Sequence, residues 1–280
     1  MQIGTNTIAQ TAVRAIHTAN AAVATASERI SSGLRINRAS DDPVGMLLGN
    51  KLKTQISSMA KAYENVSQGI AMTQVVDSSL SQIADLLTNM RVTAVAAESS
   101  TASASDVSGY QDAMDAYMDE IDSIASNAVW NGNSLMTSAS QTISIQAGAA
   151  SADSISIGFD QTTSTTLFSS YLSNGSLDIS STTAAANAVD YIDAALDTVN
   201  AYQSYMGAMA NVMAAHSDVL NGISTAYSTA YGNTMNADMA QETANLASAQ
   251  IQRDGATAML AQANGMNKEL VAFLLKSVTS

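Results

Sequence analysis

Positions 9, 12, 16, 19, 23, 26 and 30 are Ala, Ala, Ile, Ala, Val, Ala and Ile, alternately three and four residues apart. That rhythm places all seven on one face of a single helix, and the face is so narrow that the helix needs a partner. Gly33 is the expected stop. The same rhythm returns at Leu52, Ile56, Met59, Tyr63, Val66 and Ile70, then at Val76, Leu80, Ile83, Leu87, Met90, Ala94 and Ala97. Two steps of three meet near Thr73, which predicts a stammer that overwinds the coil locally. Unbroken from 44 to 99, this helix is about 80 Å long at 1.5 Å per residue. Residues 99–109 read as a loop before a further helix carrying Tyr110, Met114, Tyr117, Ile121, Ile124 and Ala128 on one face. Asn131-Gly132 then signals a turn.

Between 141 and 160 the period falls to two. Ile143, Ile145, Ile155, Ile157 and Phe159 alternate with small polar residues, the pattern of a β-hairpin with one apolar face. Residues 161–183 are rich in serine and threonine and read as irregular. Helical spacing resumes through Val189, Ile192, Leu196, Val199, Met206, Met209, Met213, His216, Leu220, Ile223, Tyr227 and Ala230, with a second stammer at 203, 206 and 209. A terminal stripe of Leu246, Ala249, Ala256, Leu260, Ala263, Met266, Leu270, Phe273 and Leu274 closes the chain. The predicted fold is mainly α: long antiparallel coiled-coil helices with one small β-hairpin, the N- and C-terminal helices paired with each other. Exposed apolar stripes at both ends invite assembly.

One stretch breaks the rhythm. Residues 31–51, SSGLRINRASDDPVGMLLGNK, hold two arginines, two adjacent aspartates and the sole proline. Asp41 or Asp42 is an N-cap candidate, with Pro43 at the first helical position, where its missing N–H costs nothing. This is a joint between two helices.

Composition narrows the chemistry. There is no cysteine, and the two histidines, His17 and His216, are far apart in the chain. No Walker loop, H-E-x-x-H or G-x-S-x-G occurs, so no enzyme, metal site or cofactor is expected. Asp119 and Glu120 read as a solvated face, and Asn65 and Asn174 as chance sequons. Residues 92–252 contain sixteen acidic side chains and no lysine or arginine, which excludes nucleic-acid binding there. No apolar run reaches membrane-spanning length, and the first residues lack a cleavable signal, so composition alone points to the cytoplasm.

The motifs point elsewhere. RISSGLRINRASDDPVG resembles the N-terminal signature of bacterial flagellins, and AQIQRDGATAMLAQAN their C-terminal signature. NSLM after WNG and the ISIQAG and SISIGF strands sit where flagellins place similar features. The resemblance implies a subunit of the hollow flagellar filament, exported unfolded without a cleaved signal and assembled under a tip cap. It therefore moves the expected location outside the cell. Residues 1–40 with 237–280 would form the channel-lining core, and 41–236 the outer layer. Ile16, Val23, Ile30, Leu246, Leu260, Met266, Leu270, Phe273 and Leu274 would be the polymer core seam. Implied partners are further copies of the chain, the cap, the hook-associated junction proteins and an export chaperone. Weak terminal helices predict disorder of 1–40 and 240–280 in a single copy.

About twenty-five residues join the hairpin to the returning helix, where many flagellins insert large outer domains, so this is a near-minimal form. An innate immune receptor reads an LQRVRELAV-like segment in many flagellins. Here residues 87–95, LTNMRVTAV, keep Arg91 but carry Thr88, Asn89, Val92 and Thr93 in place of Gln, Arg, Glu and Leu. The alternative reading is a hook–filament junction protein, which shares the SDDP joint.

Overall fold

The computed structural model describes residues 6–278 except 139–140, 170–171 and 173–175; the side chains of 270 and 273–278 also fall outside the description. The chain divides into two compact units, Met1–Thr54 with Ala226–Ser280, and Gln55–Thr225. Helix α1 spans Thr7–Ser32, α2 Pro43–Glu98, α3 Ala104–Asn127, α5 Thr182–Met235 and α6 Met239–Val278, with a single turn, α4, at Ser164–Leu167. The unit boundaries fall within α2 and α5.

Local chemistry sets the helix ends. Asn6 caps α1 by accepting the Ala9 N–H at 3.0 Å. Gly33 ends it in the left-handed region at φ 71°, donating its N–H to the Arg29 carbonyl at 2.9 Å, a conformation that costs glycine little. The expected loop at 99–109 is shorter than its composition suggested, because a capping box starts α3 at Ala104. Ser103 Oγ accepts the Asp106 N–H at 3.2 Å while Asp106 Oδ2 accepts the Ser103 N–H at 3.0 Å.

In the second unit the seam of α2 runs through Met59, Ala62, Val66, Gly69, Thr73 and Val76, all buried, and on without a break to Leu80, Ile83 and Leu87. No stammer exists near Thr73. Tyr63 is exposed and Ile70 half-buried, and the small residues beside them take the inward positions. The second predicted stammer is absent as well, for a different reason: the large Tyr202, not Gln203, continues the α5 seam from Val199 to Met206.

The hairpin is as its alternation predicted. Strands β3, Gln141–Gln146, and β4, Ser154–Phe159, pair antiparallel with Ile143 opposite Ile157 and Ile145 opposite Ile155. Ile145, Ile157 and Phe159 are buried. A second, smaller hairpin joins it: β1, Val129–Trp130, and β2, Asn133–Ser134, turn at Asn131 and Gly132, whose φ angles are 48° and 82°. The larger hairpin is tied to α2 and α5. Asn65 Nδ2 donates to the Gln146 carbonyl at 3.2 Å, His216 Nε2 lies 2.8 Å from the Ala147 carbonyl, and Tyr202 Oη accepts the Asp160 N–H at 2.9 Å. Burial pushes the Tyr202 hydroxyl up to about 12, so it stays protonated.

Gly69 is where the hairpin meets α2. A methyl there would intrude on Ile145 Cδ1 and lie 2.7 Å from Met213 Sδ. Gly69→Val is expected to destabilise this unit by about 2 kcal/mol, since overpacking outweighs the gain in helix propensity. Chemical denaturation of the purified chain measures it; an unchanged midpoint contradicts the packing described.

Candidate functional site

The paired terminal helices and the joint beside them form the candidate site, all of it within the unit Met1–Thr54 with Ala226–Ser280. Helices α1 and α6 run antiparallel. Asn6 Nδ2 donates to the Ala263 carbonyl at 3.1 Å near one end, and Arg29 pairs with Glu242 at 3.0 Å near the other. Their interface is a ladder of methyl groups. Ala12, Ala19 and Ala26 are buried, with Ile16, Val23 and Ile30 half-buried between them. On α6, Ala249 and Ala263 are buried and Leu246, Ala256 and Leu260 half-buried. Met266 is 54% exposed, and its neighbour Asn267 is half-buried instead. The side chains of Leu270, Phe273 and Leu274 lie outside the described residues.

The Arg29–Glu242 pair was not anticipated from sequence. Its signal is positional: Arg29 stands in the last turn of α1 and Glu242 in the first turn of α6, where each complements the helix dipole. Glu242 is buried, so the pair fixes register more than it adds stability.

At the joint the two aspartates divide the work between them. Asp42 caps α2: its Oδ1 accepts the N–H groups of Val44 and Gly45 at 3.1 and 2.8 Å, and Pro43 occupies the first helical position. Asp41 closes the preceding turn, its Oδ2 accepting the N–H groups of Asn37 and Arg38 at 3.1 and 3.0 Å. Those two bonds, Arg38 first, hold its carboxyl below the ordinary range. The joint is stitched to the turn between α5 and α6. Leu34 bridges Asn236, the Arg35 N–H donates to the Met235 carbonyl at 2.7 Å, and the Ala237 N–H donates to the Gly33 carbonyl at 2.9 Å.

Because Asp41 titrates lower when folded than when unfolded, its contribution is present above the ordinary carboxylate pKa, about 4. It is lost as pH falls through the depressed folded value. In the assembled filament that the resemblance implies, where this unit is ordered, acid dissociation is therefore expected to be less pH-dependent in Asp41→Asn, while Asp42→Ala costs about 1 kcal/mol at neutral pH. Titration monitored by circular dichroism separates the two.

Away from the alanine ladder the same helices expose apolar side chains. Ile251 is 73% exposed, and Ile8, Val13, Met259 and Val271 are also exposed. The pair covers one face and leaves others open. In the other unit, Arg91 forms a two-point ion pair with Asp193, at 2.6 and 3.2 Å. Thr88 and Thr93 turn their hydroxyls back to the Ala84 and Asn89 carbonyls, and Asn89 and Val92 are exposed. Among the described residues no cluster of His, Asp and Glu could hold a metal ion, and no helix is long and apolar enough to cross a membrane.

Comparison with known proteins gives a consistent result. Residues 3–142 match the family described as bacterial flagellin N-terminal helical region, and residues 189–274 that described as bacterial flagellin C-terminal helical region. A flagellin of Halalkalibacterium halodurans is 30% identical over 249 residues, 89% of this chain and 90% of that one. The flagellar filament 33 kDa core protein of Treponema phagedenis is 30% identical over 285 residues, 98% of this chain and 100% of that one. The crystal structure of Bacillus cereus flagellin superposes with a TM-score of 0.50 at 25% identity, covering 56% of this chain and 88% of that one. Of the flagellin of Salmonella typhimurium, by contrast, the match spans 33% of the length.

Proposed function

This chain belongs to the bacterial flagellins, and on that premise we propose that it is the repeating subunit of an extracellular flagellar filament. The observation that carries the reading is the half-covered terminal pair. The fully buried apolar part of its mutual interface is alanine methyls, worth about 0.8 kcal/mol each, while larger side chains such as Ile251 and Met259 face outward. Monomers that kept such surfaces open would aggregate; stacking copies buries them.

In this reading residues 1–40 and 237–280 line the channel and residues 41–236 form the outer layer. The seam residues named above from Ile16 to Leu274 then serve contacts between copies as well as within one. The cap, the junction proteins and an export chaperone are the partners that family membership suggests. Absence of cysteine suits passage of an unfolded chain through a narrow conduit, because nothing can cross-link in transit. Both family matches are to flagellin regions, which leaves the hook–filament junction reading the weaker one.

Electron microscopy of the purified chain after seeding with short filaments tests the proposal. Long tubes are expected; a chain that stays single at every concentration and salt level refutes it. The receptor-facing reading has its own support: the Arg91 guanidinium is already held by Asp193, and residues 88, 89, 92 and 93 supply neither the arginine nor the glutamate of the recognised segment. Weak activation in a reporter-cell assay is expected, and potent activation by purified monomer counts against it.

A further inference from the structure

Charge is divided unequally between the two units. Gln55–Thr225 holds seventeen acidic side chains against two cations, Lys61 and Arg91, whereas the remainder of the chain holds seven against nine. Lys61 and Arg91 are both engaged within their own unit, with Glu64 and Asp193. Beyond those two, the positive charge available to this acidic unit in a polymer of identical chains lies on the basic unit, of its own chain or of a neighbour.

The acidic unit has a place to receive it. An open cavity of about 660 Å³ is lined by Asp160, Thr162, Asp197, Ala201, Tyr202 and Tyr205, among others. The two tyrosine rings stack with centroids 6.5 Å apart and planes 16° from parallel. Thr162 is 2% exposed, and its hydroxyl has no hydrogen-bond partner. The cavity thus offers aromatic and methyl surface, the Asp197 carboxylate and an unsatisfied hydroxyl. That combination suits an amphipathic segment ending in an ammonium group, whose methylene stem packs on a ring while its head meets the carboxylate.

The first turns of α2 present such a segment. Val44 is 74% exposed, Leu47 72%, and Leu48 and Lys51 are exposed as well. Spacings of three, four and seven put these four on one side of the helix. We propose that this face of one copy seats in the Tyr202–Tyr205 cavity of a second copy, with the Lys51 ammonium received by Asp197. The assignment rests on the filament reading above and specifies one of its contacts.

A charge swap tests it in seeded filament growth of the full chain at low salt. Lys51→Asp and Asp197→Lys should each raise the concentration of free subunit left at equilibrium about tenfold. The double variant should return to within about threefold of the parent. A double variant no better than the worse single one overturns the contact. A second measurement does not depend on those substitutions being tolerated. Since the chain has no cysteine, Lys51→Cys and Asp197→Cys chains can be copolymerised and mildly oxidised. Disulfide-linked dimers containing one chain of each kind are expected in filaments and not in the unpolymerised mixture. Filaments that form without them overturn the contact and leave the subunit reading standing; an unmodified chain that never polymerises overturns the subunit reading itself.

Discussion

Ala19→Glu is expected to raise the concentration needed for filament growth about a hundredfold or more while leaving the unit Gln55–Thr225 folded. Ala19 is 2% exposed at the middle of α1, with half-buried Ile16 and Val23 on either side along the seam. A glutamate there either buries a carboxylate at a cost of several kcal/mol or pushes α6 away and opens the alanine ladder. Glutamate forms helix nearly as well as alanine, so the loss reports on the seam and not on helix propensity. The terminal pair should be sensitive because it has little stability to spare. Its buried methyls contribute about 0.8 kcal/mol each, against about 1–2 kcal/mol for fixing each residue of two long helices. Amides of both helices should therefore exchange rapidly in the single chain and become protected in the filament. Sedimentation of the polymer and hydrogen exchange of the monomer give the two readouts. Growth of Ala19→Glu at the parent's concentration refutes the role given to the ladder.

The seam of α1 was legible because an alanine at every seventh position, alternating with a larger aliphatic, admits one helix face only; on α6 Arg253 and Asn267 interrupt the alternation. The hairpin was legible from its alternation, and the second turn from Asn131-Gly132. What sequence obscured were positions where a small or polar residue lies inward beside a larger apolar one. Tyr63 and Ile70 carry larger side chains than Ala62 and Gly69. Yet α2 needs small residues inward at Gly69, where Ile145 and Met213 approach, and Thr73 is buried with its hydroxyl returned to the Ile70 carbonyl at 2.8 Å. The apparent stammer near Thr73 came from that error; the one at 203, 206 and 209 came from passing over Tyr202. At the joint, sequence placed a cap at Asp41 or Asp42 without choosing. The choice depends on which carboxylate lies beside the first free N–H groups of α2 and which beside the turn at Asn37. Ser103 was legible in principle: Ser-x-x-Asp is a capping box, and composition masked it. Tyr202 stands where an unbroken rhythm of three and four between Val199 and Met206 puts an inward residue. What period cannot show is its hydroxyl's partner, the Asp160 N–H, 42 residues away.

Phe159→Ala is expected to lower the stability of the unit Gln55–Thr225 by about 3–5 kcal/mol. Phe159 is fully buried at the end of β4, opposite Gln141 in the register, and the chain has only three phenylalanines. Phe159 and Phe168 are the bulkiest fully buried side chains in a core built mainly of leucine, isoleucine, methionine, valine and alanine, so each ring accounts for a large share of the buried area. Removing the ring empties the space under the end of the hairpin strand from which Asp160 reaches Tyr202. Thermal unfolding of this unit should then begin about 6–20 °C lower, given the 2–4 °C per kcal/mol typical of its size. One effect works against the loss. Met90, Met114, Met136 and Met213 are buried in the same unit, and flexible thioethers can move into a void more readily than branched chains. The two tendencies are separable by experiment. A loss of 3 kcal/mol or more means that the helices hold their spacing and leave the cavity open. A loss below about 1.5 kcal/mol means that methionines have filled it, and the hairpin is then held by its hydrogen bonds to Asn65, Tyr202 and Tyr205 more than by its apolar face.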